Sequence, residues 1–445
     1  MVQFWQFQAV NKSVRSAAVL SAAGSGASVS ATGAAGHAGA AATKPLPARR
    51  LYPSSSDVAE LLILLPAAAT GRRCGPIELL VIQSTSFCNI DCRYCYLHGR
   101  SDRRVMAQET ITQLFEDLLS GPFCGDHLTV VWHAGEPLVP GVDFYEQAFA
   151  MIRRLNSGRV DVTQSFQTNG TLLTQCWVDF FRRHEVSLGI SLDGPKWLHD
   201  AHRRNRQGGG TFDKTIAAVR LLQANRFPFH VIAVLTSVSL SAADEIFRFF
   251  VDNGIVDVGF NIEECEGANK SSSLRDTPYE HARCFFERIA SLCARSGTAL
   301  RIRELAGAAN AILYPDSFLY GNPQTEALRI VTVAVDGGLS TFSPELIGSD
   351  SAEYGNFRFG SVYNGGISAM LSDRYFIQVE REITSGVDLC RKTCEYFEVR
   401  LGGAPANKYF ENSDLASSET MFCRLSKKAI VDVVLTALEN ESKGV

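Results

Sequence analysis

Apolar segments alternate with helical segments over residues 77–263, and this alternation is the feature that most constrains the fold. The predicted strands cover residues 77–84, 128–134, 161–168, 186–193, 229–236 and 256–263. The helices predicted between them cover residues 107–119, 143–154, 174–183, 213–224 and 242–253. Strands that alternate with helices pair in parallel through right-handed crossovers. The pattern therefore predicts an α/β fold with a parallel sheet.

Distinctive polar motifs lie at the carboxyl ends of these strands. They are the cysteine-rich loop 88–95 after the first strand, AGEP (134–137), QTNG (167–170), SLDG (191–194) and NIEE (261–264). The carboxyl ends of parallel strands meet at one edge of the sheet, where ligands and reacting groups collect. We therefore expect these motifs to share one pocket.

The stretch CNIDCRYC places Cys88, Cys92 and Cys95 within eight positions. A disulfide pairs cysteines, so three would leave one over, and a structural zinc site usually takes four ligands. A cubane iron–sulfur cluster normally takes four thiolates, and three would leave one iron open for chemistry. The triplet therefore indicates such a cluster.

Composition narrows the functional class. The chain has 445 residues and a net charge of -4, which does not favour binding to nucleic acid or to an anionic membrane. The apolar run 61–65 is too short to span a bilayer. A reducing cytoplasm fits the cysteine spacing best. Six cysteines are interpreted as ordinary small apolar residues: Cys74, Cys124, Cys176, Cys265, Cys284 and Cys293.

The N-terminal region differs in composition from the rest. Residues 1–56 contain no Asp or Glu, and residues 17–43 are almost entirely small residues. Such a segment buries too little apolar surface to offset its ordering entropy. We predict a low-complexity, disordered extension over residues 1–75. An organelle transit peptide is a weaker alternative, because arginines are few.

The cysteine spacing, with Tyr94 before the last cysteine, resembles the signature of the radical S-adenosylmethionine (SAM) superfamily. The resemblance continues through AGEP, QTNGTLL and SLDGPKWLHDAHR, so residues 76–305 are assigned to a radical SAM core. It implies a partial (β/α)6 TIM-like barrel. It also implies that the three thiolates hold a 4Fe–4S cluster and that SAM chelates the fourth iron. One electron from the cluster then cleaves SAM to a 5′-deoxyadenosyl radical.

The same resemblance assigns cofactor-binding residues. Gly135 and Glu136 match the element that receives the methionyl amino group of SAM. Ser191 and Arg203 match positions that hold its ribose and carboxylate, and Arg suits a bidentate carboxylate contact. Tyr94 is expected to stack on or shield the cluster and the adenine. Without the resemblance, Ser191 and Asp193 would be turn residues that close the fourth strand, and Tyr94 would be a core aromatic.

The C-terminal part, residues 306–445, resembles a SPASM domain, an extension that binds auxiliary iron–sulfur clusters. Cys390, Cys394 and Cys423 are its candidate ligands. The segment from YFEVR to KKAI, with GGAPANKYFEN in it, is most similar to the cyclophane-forming GrrM/OscB-type peptide maturases. Members of that group join an aromatic ring carbon to a nearby β-carbon in a ribosomally made precursor peptide. The expected partners are this peptide and an electron donor such as flavodoxin or ferredoxin.

The chain departs from the fuller SPASM pattern at three positions. Ser343 and Ala404 stand where cysteines are expected, so the first auxiliary cluster is expected to be absent. Arg400 stands at the fourth ligand position of the remaining cluster, and arginine offers iron no lone pair. That cluster would have three protein ligands, take another ligand or be lost. A zinc knuckle is the alternative for these cysteines.

Cross-linking also needs a group that accepts a proton. Asp336, in VAVDGG, matches by position an aspartate proposed as base in related maturases, although Asp before Gly-Gly is also a turn signal. Glu263 and Glu264 are weaker candidates for contacting cofactor or peptide. The alternatives to cyclophane formation are epimerisation, thioether formation, sulfatase-type formylglycine formation and a non-catalytic iron–sulfur protein.

Overall fold

A computed structural model describes residues 74–315 and 321–443. The extension predicted over residues 1–75 lies, apart from its last two residues, outside the described part of the chain. Within the described part, no helix combines the length and the apolar character needed to cross a membrane.

Strands and helices alternate through the first two thirds of the described chain. The strands are β1 (Ile77–Ile82), β2 (Cys124–Trp132), β3 (Asp161–Thr168), β4 (Ser187–Ser191), β5 (His230–Leu235), β6 (Asp257–Ile262) and β7 (Arg301–Ile302). The helices are α1 (Gln108–Ser120), α2 (Val142–Leu155), α3 (Gln175–Arg183), α4 (Lys196–His202), α5 (Phe212–Ala224), α6 (Ala243–Asp252), α7 (Tyr279–Ser296) and α8 (Arg303–Leu313). The six strands and five helices predicted from the sequence are all present, with boundaries within a few residues.

The C-terminal part contributes three more strands and then mainly helices. The strands are β8 (Ile330–Val333), β9 (Gly338–Thr341) and β10 (Gly360–Ser361). The helices are α9 (Gly366–Met370), α10 (Arg374–Thr393), α11 (Phe397–Arg400), α12 (Pro405–Asn412), a π-helix (Cys423–Lys428) and α13 (Ala429–Lys443).

All ten strands belong to one sheet with the order β10-β9-β8-β1-β2-β3-β4-β5-β6-β7. Every pair from β8 through β1 to β7 is parallel, and the β8–β9 and β9–β10 pairs are antiparallel. Because β8 pairs directly with β1, the sheet is continuous across the predicted domain boundary at residue 305. The fold is the expected α/β class, with a central and mostly parallel sheet.

Burial explains why these segments form this sheet. In β1, only Glu78 is exposed among the six residues, as expected for a central strand covered on both faces. A dense aromatic cluster, including Trp132, Tyr145 and Phe166, fills the space between the sheet and helices α2 and α3. The helices thus hold the strands rigidly from one side. This rigidity fixes the positions of the loops at the carboxyl ends of the strands.

Candidate functional site

The predicted cofactor residues line a single cavity of about 140 Å³ at the carboxyl ends of the parallel strands. Those found there are Cys88, Cys92, Cys95, Tyr94, Gly135, Glu136, Ser191 and Arg203. The shared pocket that the strand-end motifs predicted is therefore present. We call it the cysteine-loop cavity.

Backbone contacts hold the cysteine loop in shape. The amide of Cys95 donates to the carbonyl of Cys92 over 3.3 Å, which tightens the turn between these two ligands. Arg206 donates from Nε to the carbonyl of Cys88 over 2.7 Å, and Arg100 donates from Nη1 to the carbonyl of Cys92 over 2.9 Å. Two arginines thus fix the loop from outside the cavity.

The thiols of the cysteine loop are close enough to influence one another electrostatically. Burial, with a contribution from neighbouring Cys95, raises the pKa of Cys92 to about 12, although Arg203 opposes the shift. Within residues 74–315 and 321–443, no group of three or more His, Cys, Asp or Glu side chains is arranged to hold a single metal ion. A cubane takes one thiolate at each iron corner that the protein holds, so three cysteines can bind it and leave one iron open.

Gly135 occupies a position that only glycine fits. Gly135 has φ +107°, and a Cβ there would lie 2.1 Å from the carbonyl oxygen of Thr85. The preceding Ala134 also has a positive φ, of 68°. This strained turn presses the AGEP motif against the start of the cysteine loop, so glycine is required.

The carboxylate of Glu136 is buried and held from three directions. It accepts hydrogen bonds from Thr168 Oγ1 at 2.6 Å, the Asn169 amide at 2.9 Å and the Leu138 amide at 3.0 Å. Burial raises the pKa of Glu136 to about 7, against the opposing effect of these donors. A bound ammonium group would favour the charged form. The residue therefore suits the binding of an amino group.

Arg203 forms a buried ion pair that the sequence analysis did not predict. Its Nε and Nη2 each donate over 3.0 Å to Asp193, which the sequence marked only as a turn residue. Tyr94 donates its hydroxyl to the same carboxylate, and its ring lies under the guanidinium, 5.4 Å from Cζ. Ser191 accepts a hydrogen bond from Gln167 Nε2 at 3.1 Å. Asp193 thus positions both Arg203 and Tyr94.

Asp336 does not line the cysteine-loop cavity. Its carboxylate pairs with Arg358 at 2.9 Å and accepts a hydrogen bond from the Gly338 amide at 3.2 Å. Partial burial would raise its pKa, but the bond from Arg358 outweighs this and lowers it. In the structure Asp336 has the turn-forming role that the sequence also allowed.

A different set of carboxyl groups lines the cavity. The set comprises Glu263, Glu264, Glu266 and Glu345. Glu263 and Glu264 were weak candidates from the sequence, whereas Glu266 and Glu345 were missed. Asn407 of α12 donates to both Glu264, at 2.7 Å, and Glu266, at 3.1 Å. Burial raises the pKa of Glu266 and of Glu345, and the charge of Glu264 adds to both shifts.

The loop after β6 brings this carboxyl cluster to the cysteine loop. Gly267 has φ +52°, and a Cβ there would lie 2.1 Å from the carbonyl oxygen of Tyr96. The same carbonyl accepts a hydrogen bond from the Ala268 amide at 2.7 Å. The glycine in ECEG was therefore a sequence signal for this close approach. Glu345 follows β9, an added strand outside the repeating pattern, and carried no such signal.

The C-terminal cysteines come together around buried positive charge. Cys390 lies in α10, and the ammonium group of buried Lys408 lies 3.6 Å from its sulfur. Burial lowers the pKa of Arg400 to about 10, while Cys423 and Cys394 oppose that shift. Positive charge beside thiols favours the thiolate, the form that binds metal. The residues thus fit an iron–sulfur or other metal–thiolate site, and Lys408 is a residue that the sequence analysis missed.

Sequence comparisons relate this chain to several known proteins. Residues 82–250 match the sequence profile of the radical SAM superfamily. The uncharacterized protein sll1766 of Synechocystis sp. is 40% identical over 375 residues, which cover 83% of this chain and 94% of that protein. The cysteine-type anaerobic sulfatase-maturating enzyme of Clostridium perfringens is 30% identical over 181 residues. That match covers 39% of this chain and 48% of the enzyme, so the likeness spans about half of the maturase.

Solved structures support the fold over most of the chain. The structure of anSMEcpe with bound AdoMet superposes with a TM-score of 0.68 at 22% identity, covering 83% of this chain and 96% of that one. Streptococcus suis SuiB bound to precursor peptide SuiA superposes with a TM-score of 0.56 at 14% identity, covering 78% and 76%. The near full-length relative is itself uncharacterized, so the family assignment comes from the profile match. Residues 82–250 belong to the radical SAM superfamily, in which a 4Fe–4S cluster and S-adenosylmethionine are the expected cofactors.

Proposed function

We propose that this protein modifies a ribosomally made precursor peptide by forming cyclophane cross-links. The observation that carries the proposal is the cysteine-loop cavity, where a three-thiol ligand set, a SAM-binding set and a carboxyl cluster share one space. Peptide-bound structural neighbours add support, because anSMEcpe with a bound peptide and SuiB with SuiA have the same fold. The C-terminal motif similarity to the cyclophane-forming group supports the reaction type.

The cofactor-binding roles follow the sequence prediction. Cys88, Cys92 and Cys95 would hold the cluster, and Glu136 would receive the SAM amino group. When bound, the cluster and SAM supply a radical that abstracts a hydrogen atom from the substrate. Asp193 keeps the guanidinium of Arg203 fixed against Tyr94, so Arg203 is held in place before any ligand arrives.

The cross-link removes two hydrogens from the peptide for each carbon–carbon bond that forms. One leaves the β-carbon as a hydrogen atom, and the β-carbon then bonds to the aromatic ring. The ring must next lose one proton and one electron to become aromatic again. A carboxylate within reach of the peptide can accept the proton. We assign the electron to a cluster at Cys390, Cys394 and Cys423, and the initial reducing electron to a flavodoxin- or ferredoxin-type donor.

The carboxyl cluster is better placed than Asp336 to accept that proton. Glu345 and Glu266 line the cysteine-loop cavity, whereas Asp336 is paired with Arg358 outside it. A base must come within hydrogen-bond reach of the proton that it removes, directly or through one water. We therefore propose Glu345 or Glu266 as the base, and we keep Asp336 as the competing assignment.

The lack of cysteines around β8 and β9 supports the cyclophane group over a double-cluster maturase. Ser343 is fully buried after β9 and accepts a hydrogen bond from Gln324 Nε2 at 3.4 Å. Residues 321–361 contain no cysteine, so this region has no thiolates for a further cluster. The oxidation catalysed by sulfatase-maturating enzymes remains a second candidate, because one such enzyme is 30% identical over 181 residues.

The test is an anaerobic assay with reconstituted enzyme and a glycine-rich precursor peptide that carries repeated aromatic residues. The expected product has lost two hydrogens per ring, and 5′-deoxyadenosine accumulates with it. Deuterium at the β-carbon two residues after the aromatic should appear in the 5′-deoxyadenosine. Glu345→Gln should leave SAM cleavage largely intact and suppress the cross-link, while Asp336→Asn serves as the matched carboxylate control.

Three outcomes would redirect the proposal. Deuterium transferred from an α-carbon with unchanged product mass would show epimerisation instead. Oxidation of a serine or cysteine in a sulfatase-derived peptide, without cross-linking of the aromatic peptide, would show maturase chemistry. If the Glu345→Gln protein cross-links normally and the Asp336→Asn protein does not, Asp336 is the base.

A further inference from the structure

A second cavity, of about 150 Å³, lies between α8 and the C-terminal segment. Its polar lining includes Arg303, Glu304, Asn322, Arg400, Ser426 and Lys427. None of these residues lines the cysteine-loop cavity. The second cavity is therefore separate from the cysteine-loop cavity, and we call it the cationic cavity.

One of its positive charges is already neutralised. Arg303 donates from Nε to Glu304 over 2.6 Å and from Nη2 to Asn261 over 2.7 Å. Glu304 in turn accepts a hydrogen bond from the Phe260 amide at 2.8 Å, which anchors the pair to β6. The acidic charge of Glu304 is thus committed to Arg303.

Neither of the other two positive charges forms an ion pair with a residue of 74–315 or 321–443. The buried Nε of Arg400 has no hydrogen-bond partner there. Lys427 forms no ion pair in the same ranges, and its ammonium group lies 5.3 Å from the centre of the Phe422 ring. Burial lowers the pKa of Lys427, and the nearby positive charge of Arg400 lowers it further. Two cations facing one cavity are costly unless an anion joins them.

The C-terminal cysteine site accounts for only one of these two cations. Cys394 and Cys423 are electrostatic neighbours of Arg400, so an anionic cluster there would partly neutralise it. The charged groups that act on Lys427 are instead Arg400, Arg303, Glu304 and Glu264. Neither glutamate forms an ion pair with Lys427, so a negative charge bound within the cationic cavity would be its first direct partner among residues 74–315 and 321–443.

We propose that the cationic cavity is a binding site for a small oxyanion, held between the guanidinium of Arg400 and the ammonium of Lys427. Arginine and lysine together are well suited to the oxygens of a carboxylate or phosphate. A buried water needs roughly 10–15 Å³ of such space, so the volume admits a group of several heavy atoms. The site goes beyond the proposed function and would bind its ligand whether or not the peptide reaction is correct.

The test measures thermal unfolding of the purified full-length chain with acetate, inorganic phosphate or chloride at matched ionic strength. Acetate or phosphate at saturation should raise the midpoint of the wild type by about 2 °C or more relative to chloride. The Lys427→Met protein should lose most of that shift. A response to acetate alone identifies a carboxylate, such as an acidic peptide side chain, and a stronger response to phosphate identifies a phosphate ligand.

Lys428→Met is the matched control, because it removes the same charge at the next residue, and Lys428 already pairs with Glu419 at 2.5 Å. It should retain the full oxyanion shift. In chloride, Lys427→Met should be at least as stable as the wild type, since it removes a half-buried charge that forms no ion pair with the described residues. Equal shifts in the wild type and Lys427→Met, or no shift beyond chloride, would overturn the proposal.

Discussion

Replacing Asp193 with Asn should destabilise the protein strongly, because four donors converge on this one buried carboxylate. Arg203 contributes two, Tyr94 one and the Val234 amide one. Asp193 is 3% exposed and Arg203 is 7% exposed, so solvent replaces none of these bonds. Asn keeps one acceptor oxygen but places an NH₂ group against donors, and it leaves the Arg203 charge uncompensated. Breaking a buried ion pair in this way costs about 3–5 kcal/mol.

Guanidinium-induced unfolding of the full-length chain measures the loss. The Asp193→Asn and Arg203→Met variants should each be less stable than the wild type. The double variant should lose clearly less than the sum of the two, because neither charge then remains buried alone. Asp244→Asn, in the solvent-exposed pair with Arg288, should change stability far less. A loss below about 1 kcal/mol for Asp193→Asn, or additive single losses, would refute the reasoning.

The remaining predictions concern the cofactor site, its neighbours and the C-terminal cysteines. Gly135→Ala places a Cβ 2.1 Å from the Thr85 carbonyl oxygen, so it should displace the cysteine loop and sharply weaken SAM binding measured by calorimetry; unchanged affinity would contradict the tight fit. Cys92→Ala should abolish 5′-deoxyadenosine formation and lower bound iron, and wild-type cleavage by this protein would remove the cluster assignment. Burial lowers the pKa of His199 to about 4 in the folded protein. As the pH drops below 6.5, the unfolded chain therefore takes up a proton at this histidine before the folded protein does. The free energy of unfolding should then decrease between pH 6.5 and 4, by roughly 3 kcal/mol at most. The His199→Gln protein should not show this loss, so its stability relative to the wild type should increase as the pH is lowered from 6.5 to 4. A stability difference that does not change with pH would exclude the effect. Arg400→Cys should raise iron content or oxygen tolerance at the C-terminal site, whereas unchanged iron with zinc in both proteins would favour a zinc knuckle.

The sequence was sufficient to predict the strands β1 to β6 and the pocket at their carboxyl ends. Strand and helix periodicities are local properties, and the carboxyl ends of parallel strands are forced to one edge of the sheet. The sequence alone therefore placed Gly135 and Glu136 in the same pocket as Cys88. The continuation of the sheet through β8, β9 and β10 was not predicted, because pairing between β8 and β1 joins residues about 250 positions apart.

The sequence by itself determined the cluster-based chemistry, because the spacing of Cys88, Cys92 and Cys95 suits an iron–sulfur cluster with one open iron. Only the tertiary structure decided which charged groups meet. It paired Asp336 with Arg358 and placed Glu345 in the cysteine-loop cavity instead. It also turned Asp193 from an apparent turn residue into the partner of Arg203. Charge interactions depend on distance and burial, and neither quantity is encoded in the spacing of residues along the chain.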